Sequence, residues 1–184
     1  LTYEPGTAFK NALERGVLKE PKEDTWIEMF YEIVQSLEEA GYEQYEISNF
    51  SLPDHRSKHN NAIWRNGHYA GLGPGSHGFL PDGRRTINPP NWNEWLCSAI
   101  PIIETPTKEQ HVIDAILTWI RHKEGISIPT IEQMGYRFSN HLLKTMISNE
   151  FLLAKGDTIL LGKKGLSVVD LITRRLVQDL TPIN

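Results

Sequence analysis

The chain has 184 residues, 39% of them hydrophobic and 23% charged, so one medium domain or two small ones can bury a core and wholesale disorder is excluded. Nineteen basic against twenty-three acidic residues give a net charge of −4, which argues against a dedicated nucleic-acid binder. A lone cysteine, Cys97, excludes an internal disulfide and a multi-cysteine zinc or iron–sulfur site, and a reducing cytoplasm is the expected location.

Residues 1–8 read as the end of a short strand turned by Pro5-Gly6. The opening Leu1-Thr-Tyr-Glu-Pro is not a signal peptide, and a start without Met reads as a piece cut from a longer chain. No apolar run of membrane-spanning length occurs. Trp26, Phe30, Ile33 and Leu37, widened by Met29 and Val34, predict a core-facing helix from Asp24 to Ala40, with Asp24 as N-cap and Gly41 as C-cap. Tyr42–Phe50 reads as a strand, Ser51–Arg65 as polar and irregular, and Tyr69–Leu72 as a short strand entering a glycine-rich segment. Arg84–Asn88 predicts a strand, and Asn91–Ile102 a helix whose Trp92 and Trp95 read as core.

The pattern changes near Pro101–Pro106. Thr107-x-x-Gln110 is a capping box opening a helix with Ile113, Ile116, Leu117 and Ile120 on one face. Thr130-x-x-Gln133 predicts a second helix and Ser139–Asn149 a third, with Leu142, Leu143 and Met146 inward. Phe151–Ala154 and Thr158–Leu161, joined at Lys155-Gly156-Asp157, predict a hairpin, and Gly165–Val177 a last helix. Three helices followed by a hairpin give a winged-helix-like order.

The stretch Tyr45–Gly78 concentrates the chemistry. Gly73-Pro74-Gly75-Ser76-His77-Gly78 matches G-x-G-x-x-G, but that fingerprint needs a helix opening on the glycines, and Pro81 and Gly83 oppose one. Two uses of glycine remain: close approach of backbone to a ligand, or a bulge at a strand end. His55-x-x-x-His59 has helical spacing for two zinc ligands, yet Pro53 and Asp54 oppose a helix and no Cys or suitable Glu stands near as a further ligand. A single axial histidine on a haem iron asks for less, because the porphyrin supplies four nitrogens. Trp64 would then pack on the macrocycle, or else be plain core. No paired-carboxylate spacing, nucleophile elbow or P-loop stands out.

Leu1-Thr-Tyr-Glu-Pro-Gly-Thr7, the run Ala40–Phe50 with YEISNF, His59-Asn60-x-x-x-Trp64 and Gly71-Leu-Gly-Pro-Gly-Ser-His77 resemble the second half of the radical SAM haem chaperones. These are relatives of the oxygen-independent coproporphyrinogen III oxidases of porphyrin biosynthesis. The resemblance implies an α/β fold: the last strands and helices of an incomplete (β/α) barrel over 1–103, then a winged-helix-like helical domain over 104–184. It implies haem held by His59, Asn60 and Trp64, with His59 on the iron, although Ile63 stands where the family's HNxxYW motif has tyrosine. By position, Thr2, Gly73, Gly75, Ser76 and His77 would line an S-adenosylmethionine site, although the oxidase pattern lacks histidine at the last of these. The family's [4Fe–4S] cluster sits on C-x-x-x-C-x-x-C, which this chain lacks, so by itself the chain should be inactive as an enzyme. The implied function is haem binding for delivery to a recipient protein or a membrane respiratory complex. The alternative is part of a coproporphyrinogen III oxidase. A third reading, a winged-helix nucleic-acid binder, is disfavoured because Ser139–Asn149 carries only Lys144 as a fixed positive charge, beside His141.

Overall fold

A computed structural model describes residues 3–98 and 100–183. They divide into two compact units, one up to Ala40 and one from Gly41 onward.

The first unit holds two helices. α1 (Ala8–Glu14) follows the Pro5-Gly6 turn and is capped by Thr7, whose side chain accepts from the Lys10 N–H. No strand precedes it among the described residues, and sequence periodicity gave no sign of this seven-residue helix. α2 (Glu23–Glu39) matches the predicted helix, but its N-cap is Lys22 and Asp24 lies in the first turn. Gly41, at φ +86°, ends it from the left-handed region where glycine has no Cβ penalty. The predicted core role fails: no residue of α2 is buried, and Met29 and Ile33 are exposed. A two-helix unit of forty residues has too little mass to cover such a stripe.

The second unit begins with a hairpin where a single strand was expected. β1 (Glu43–Glu46) pairs antiparallel with β2 (Asn49–Ser51), with a register shift between Gln44 and Glu46. The predicted irregular stretch contains α3 (Lys58–Trp64), capped by Ser57. Tyr69 makes only an isolated bridge to Phe79, in place of the expected strand. β3 (His77–Phe79), β4 (Arg85–Ile87) and β5 (Ile102–Glu104) form an antiparallel sheet in that order, and α4 (Trp92–Ser98) lies between the last two. Trp92, expected in the core, is 58% exposed and packs against Trp95 at a ring separation of 5.7 Å.

α5 (Lys108–Trp119) carries the predicted capping box complete, Thr107 and Gln110 each satisfying the other's backbone N–H. β6 (Ile126–Ser127) leads into α6 (Ile128–Gln133), which starts before the expected Thr130 because Ser127 caps it and Pro129 suits its first turn. β7 (Tyr136–Arg137), α7 (Asn140–Ser148, capped by Ser139), and the hairpin β8 (Leu152–Lys155) and β9 (Thr158–Leu161) follow. The sheet order is β6–β9–β8. A 3-10 turn (Leu166–Val168) precedes α8 (Val169–Asp179), and β10 (Thr181–Pro182) returns to β7. The buried core lies here: Val112, Ile116 and Ile120 of α5 and its C-terminal end pack with Ile131, Leu152, Ile159, Ile172 and Leu176, and Ile47 of the first hairpin joins them. The expected boundary at 103/104 lies within β5, inside one compact unit. Every strand pair among the described residues is antiparallel, whereas a (β/α) barrel is built from parallel pairs.

Candidate functional site

The YEISNF segment is a tight, buried turn. Tyr45, Glu46 and Ile47 are 2%, 3% and 8% exposed. The Glu46 carboxylate accepts from the Ser48 N–H at 2.7 Å and from the Asn49 side-chain amide, so the short turn is closed by a side chain and needs no glycine. Gln44 Nε2 donates to the Ile47 carbonyl at 2.9 Å. The outer edge docks on the end of α5: Lys123 N–H donates to the Tyr45 carbonyl at 3.0 Å, and Glu46 bridges to His122. Lys123 and Arg56 each lie 3.2 Å from the Glu43 carboxylate, and their hydrogen bonds hold its pKa below the ordinary value.

α3 carries the His59-Asn60-x-x-x-Trp64 motif. Ser57 Oγ accepts from the Asn60 N–H at 3.2 Å, which fixes the start of the helix. Asn60 Nδ2 donates to Asn49 Oδ1 at 3.3 Å, tying α3 to β2. Asn61 Oδ1 lies 2.8 Å from His122 Nε2, tying α3 to the end of α5. His122 Nδ1 accepts from the Glu124 N–H at 3.2 Å, so its single proton sits on Nε2 and donates to Asn61. Burial is the largest influence on His122 and pushes its pKa below 6.5, against the opposing charge of Glu124.

The His59 side chain is exposed and makes no hydrogen bond or ion pair among the described residues. At about 100° per residue, Ile63 shares its helical face, while Trp64 points roughly 140° away. Trp64 is half-buried and lines a groove of about 340 Å³ with Trp119, His122 and Glu124. The three motif residues therefore do not converge on one point: His59 faces out, Asn60 is spent on the scaffold, and Trp64 turns to α5. Ile63 lines a second groove, of about 220 Å³, with Tyr69, His77, Phe79, Leu117 and the Arg85–Asp114 ion pair.

The glycine segment is explained mostly by the chain's own backbone. A Cβ on Gly71 would lie 2.3 Å from the His77 carbonyl oxygen, and one on Gly78 would lie 2.5 Å from Thr86 Oγ1. Gly73 and Gly75 take φ of +96° and +69°, and Gly73 opens onto empty space. Asn88, to which sequence reasoning gave no role, braces the loop: its Nδ2 reaches Ser76 Oγ at 2.9 Å and the carbonyls of Gly73 and Gly71 at 3.0 and 3.3 Å. Ser76 Oγ in turn donates to the Gly73 carbonyl at 2.7 Å. Of the expected S-adenosylmethionine-lining groups, the exposed imidazole of His77 and the open side of Gly73 remain unengaged, and Thr2 lies outside the described residues. Among the described residues no group of three or more His, Cys, Asp or Glu side chains is placed to hold a metal ion, and no helix is long and apolar enough to cross a membrane.

No protein-family model matches the chain. It is 34% identical to the heme chaperone HemW of Lactococcus lactis over 137 residues, 72% of this chain and 36% of that protein. It is 41% identical to HemW of Bacillus subtilis over 88 residues, 48% of this chain and 23% of the relative. The mouse mitochondrial radical S-adenosyl methionine domain-containing protein 1 is 39% identical over 102 residues, 50% of this chain and 23% of its own length. In fold, the coproporphyrinogen III oxidase HemN of Escherichia coli, described as a radical SAM enzyme, superposes with a TM-score of 0.63 at 12% identity. That match covers 86% of this chain and 42% of HemN. The chain therefore belongs to the heme chaperone HemW family and shares its fold with HemN, and it spans less than half the length of each of these relatives.

Proposed function

We propose that the chain is part of a haem chaperone-like protein that binds haem through His59 and passes it to a recipient protein or a membrane respiratory complex, in the cytoplasm. One observation carries the reading. His59 is an exposed, unpartnered imidazole on a helix whose next two residues, Asn60 and Asn61, are both hydrogen-bonded into the scaffold. The two anchors thereby hold α3 with His59 outward, where its imidazole would be free to ligate the iron of a bound haem, the porphyrin supplying the four remaining nitrogens. The name heme chaperone on relatives up to 41% identical supports haem as the cargo.

On this reading the order helix, strand, helix, strand, helix, hairpin over 108–161 is a winged-helix-like domain, and residues before about 104 accompany the end of a radical SAM barrel. The [4Fe–4S] cluster and S-adenosylmethionine belong to the longer parent, since Cys97 alone offers one thiolate where such a cluster takes several. Thr2, Gly73, Gly75, Ser76 and His77 would border the S-adenosylmethionine in that parent.

Haem titration of the full-length protein, with and without His59→Ala, is the test. Loss of the Soret band shift with roughly tenfold weaker binding is expected of the variant. An unchanged band and affinity would remove His59 as ligand. The second reading is part of an oxygen-independent coproporphyrinogen III oxidase, and the fold shared with HemN is compatible with it. Anaerobic formation of protoporphyrinogen by the full-length protein would decide for it.

A further inference from the structure

We infer that His122, sixty-three positions from His59 in the chain, is a positioning residue for haem binding, acting through Asn61 on the rotation and tilt of α3. The inference rests on the reading of His59 as ligand.

The argument starts from the size of α3. Seven residues form a helix too short to hold its own orientation, and α3 buries no residue. Beside the half-buried Ile63 and Trp64 and the Arg65–Glu124 ion pair, side-chain hydrogen bonds fix its rotation. Two adjacent residues supply these in two directions: Asn60 reaches Asn49 at 3.3 Å, and Asn61 reaches His122 at 2.8 Å. The first anchor is long and part-exposed, on the hairpin β1–β2. The second is shorter and made to a ring that is 4% exposed and held at its other nitrogen by the Glu124 N–H. A ring engaged at both nitrogens has no free lone pair for a metal or a substrate, so its role is not that of a ligand. Instead it transmits the position of the rigid α5 core to α3. The buried Glu46 lies beside both anchors: its carboxylate accepts from the Asn49 amide, and its backbone forms an isolated bridge with that of His122. Two imidazoles thus divide the work. One is exposed and unpartnered; the other is buried, fully hydrogen-bonded, and two links away.

The test is hemin titration of the full-length protein carrying His59→Ala, His122→Phe, His122→Gln or Asn61→Ala. His122→Phe keeps volume and removes both hydrogen bonds. His122→Gln can place an amide N–H near the position of Nε2. We expect His122→Phe to weaken hemin binding roughly five- to tenfold, the scale of one buried hydrogen bond left unmade, and to blur the His59-dependent Soret band. His122→Gln should recover most of the affinity. Asn61→Ala, at a half-buried site where folding is safe, should weaken binding similarly, and its combination with His122→Phe should add little. Wild-type affinity in both His122→Phe and Asn61→Ala, with His59→Ala still defective, would overturn the inference and leave the His59 reading intact. Equal loss in His122→Gln and His122→Phe, additive with Asn61→Ala, would also overturn it, since His122 would then act only through general stability. Unchanged binding in His59→Ala would remove the underlying reading and this inference with it.

Discussion

Gly71→Ala and Gly73→Ala separate two uses of glycine that lie two residues apart. At Gly71, φ is not in the left-handed region, but the new Cβ would sit 2.3 Å from the His77 carbonyl oxygen and 2.6 Å from its carbon. Both neighbours are backbone, so no rotamer change relieves the clash. Restoring an ordinary contact of 3.4 Å requires about 1 Å of separation between residue 71 and the start of β3. The reciprocal Tyr69–Phe79 pair, two backbone bonds of 2.9 Å, lies beside that point and would stretch past hydrogen-bonding range. The contact from Asn88 Nδ2 to the Gly71 carbonyl would go too. Two backbone bonds at about 1 kcal/mol each, plus the residual strain, give about 2–4 kcal/mol. At Gly73 the Cβ meets nothing within 4 Å, and the cost is only that of an L-residue at φ +96°, about 1–2 kcal/mol. Urea unfolding followed by circular dichroism measures both. If Gly71→Ala destabilises no more than Gly73→Ala, the close backbone approach at Gly71 is not what holds this loop together.

Three further outcomes follow from the same network and from the C-terminal core. His122 has a folded pKa depressed below 6.5, so its neutral form is worth most to stability above the ordinary value; that contribution is lost as pH falls from about 6.5 through the folded value. Glu124 and Glu46 face the ring with negative charge, and Arg65 and Arg56 with positive, so unfolding curves between pH 7 and 5 should show a drop that His122→Phe abolishes. Glu46→Ala should cost about 1–2 kcal/mol by chemical denaturation, because it removes the acceptor for the Ser48 N–H and the Asn49 amide in a part-buried turn, whereas Glu46→Gln retains the acceptor oxygen and should cost less than half of that. Thr107→Ala removes one half of the capping box and should lower stability by about 1 kcal/mol in thermal unfolding.

What was legible in the sequence was what is local. The stripe of 24–40, the Thr107/Gln110 box and the Lys155–Asp157 turn each signal through residues a few positions apart, and the structure has α2, α5 and the β8–β9 hairpin at those places. The β1–β2 hairpin read as one strand because its turn contains neither glycine nor proline; the Glu46 carboxylate does the closing. α3 stayed hidden because only Ala62, Ile63 and Trp64 of its seven residues are apolar, so no stripe can repeat. The same difference divides the candidate site. His59 stood out by type and motif, but Asn88 acts across 12 to 17 positions and His122 across 61, separations over which periodicity carries no information. The apolar face of α2 is the opposite case: its helical period is plain in the sequence, but within its own unit no residue of it is buried.

Ile63 gives the haem reading its most direct test of geometry. The resembling family has tyrosine there, and helical spacing puts residue 63 one turn from His59 on the same face of α3. It also lines the groove of about 220 Å³ beside Tyr69, His77 and Phe79, which has room for the added ring without displacing core. Ile63→Tyr should therefore fold with stability within about 1 kcal/mol of the parent. Its phenol would stand beside a haem held by His59, offering one hydrogen bond to a propionate. One such bond to a charged group is worth about 1.5–3 kcal/mol before the ordering of the side chain, so hemin affinity should rise roughly three- to thirtyfold. The gain must vanish in the double variant with His59→Ala, because it depends on haem seated at that face. An equal gain with and without His59 would mean that hemin binds elsewhere, and the outward orientation of α3 would lose its functional meaning.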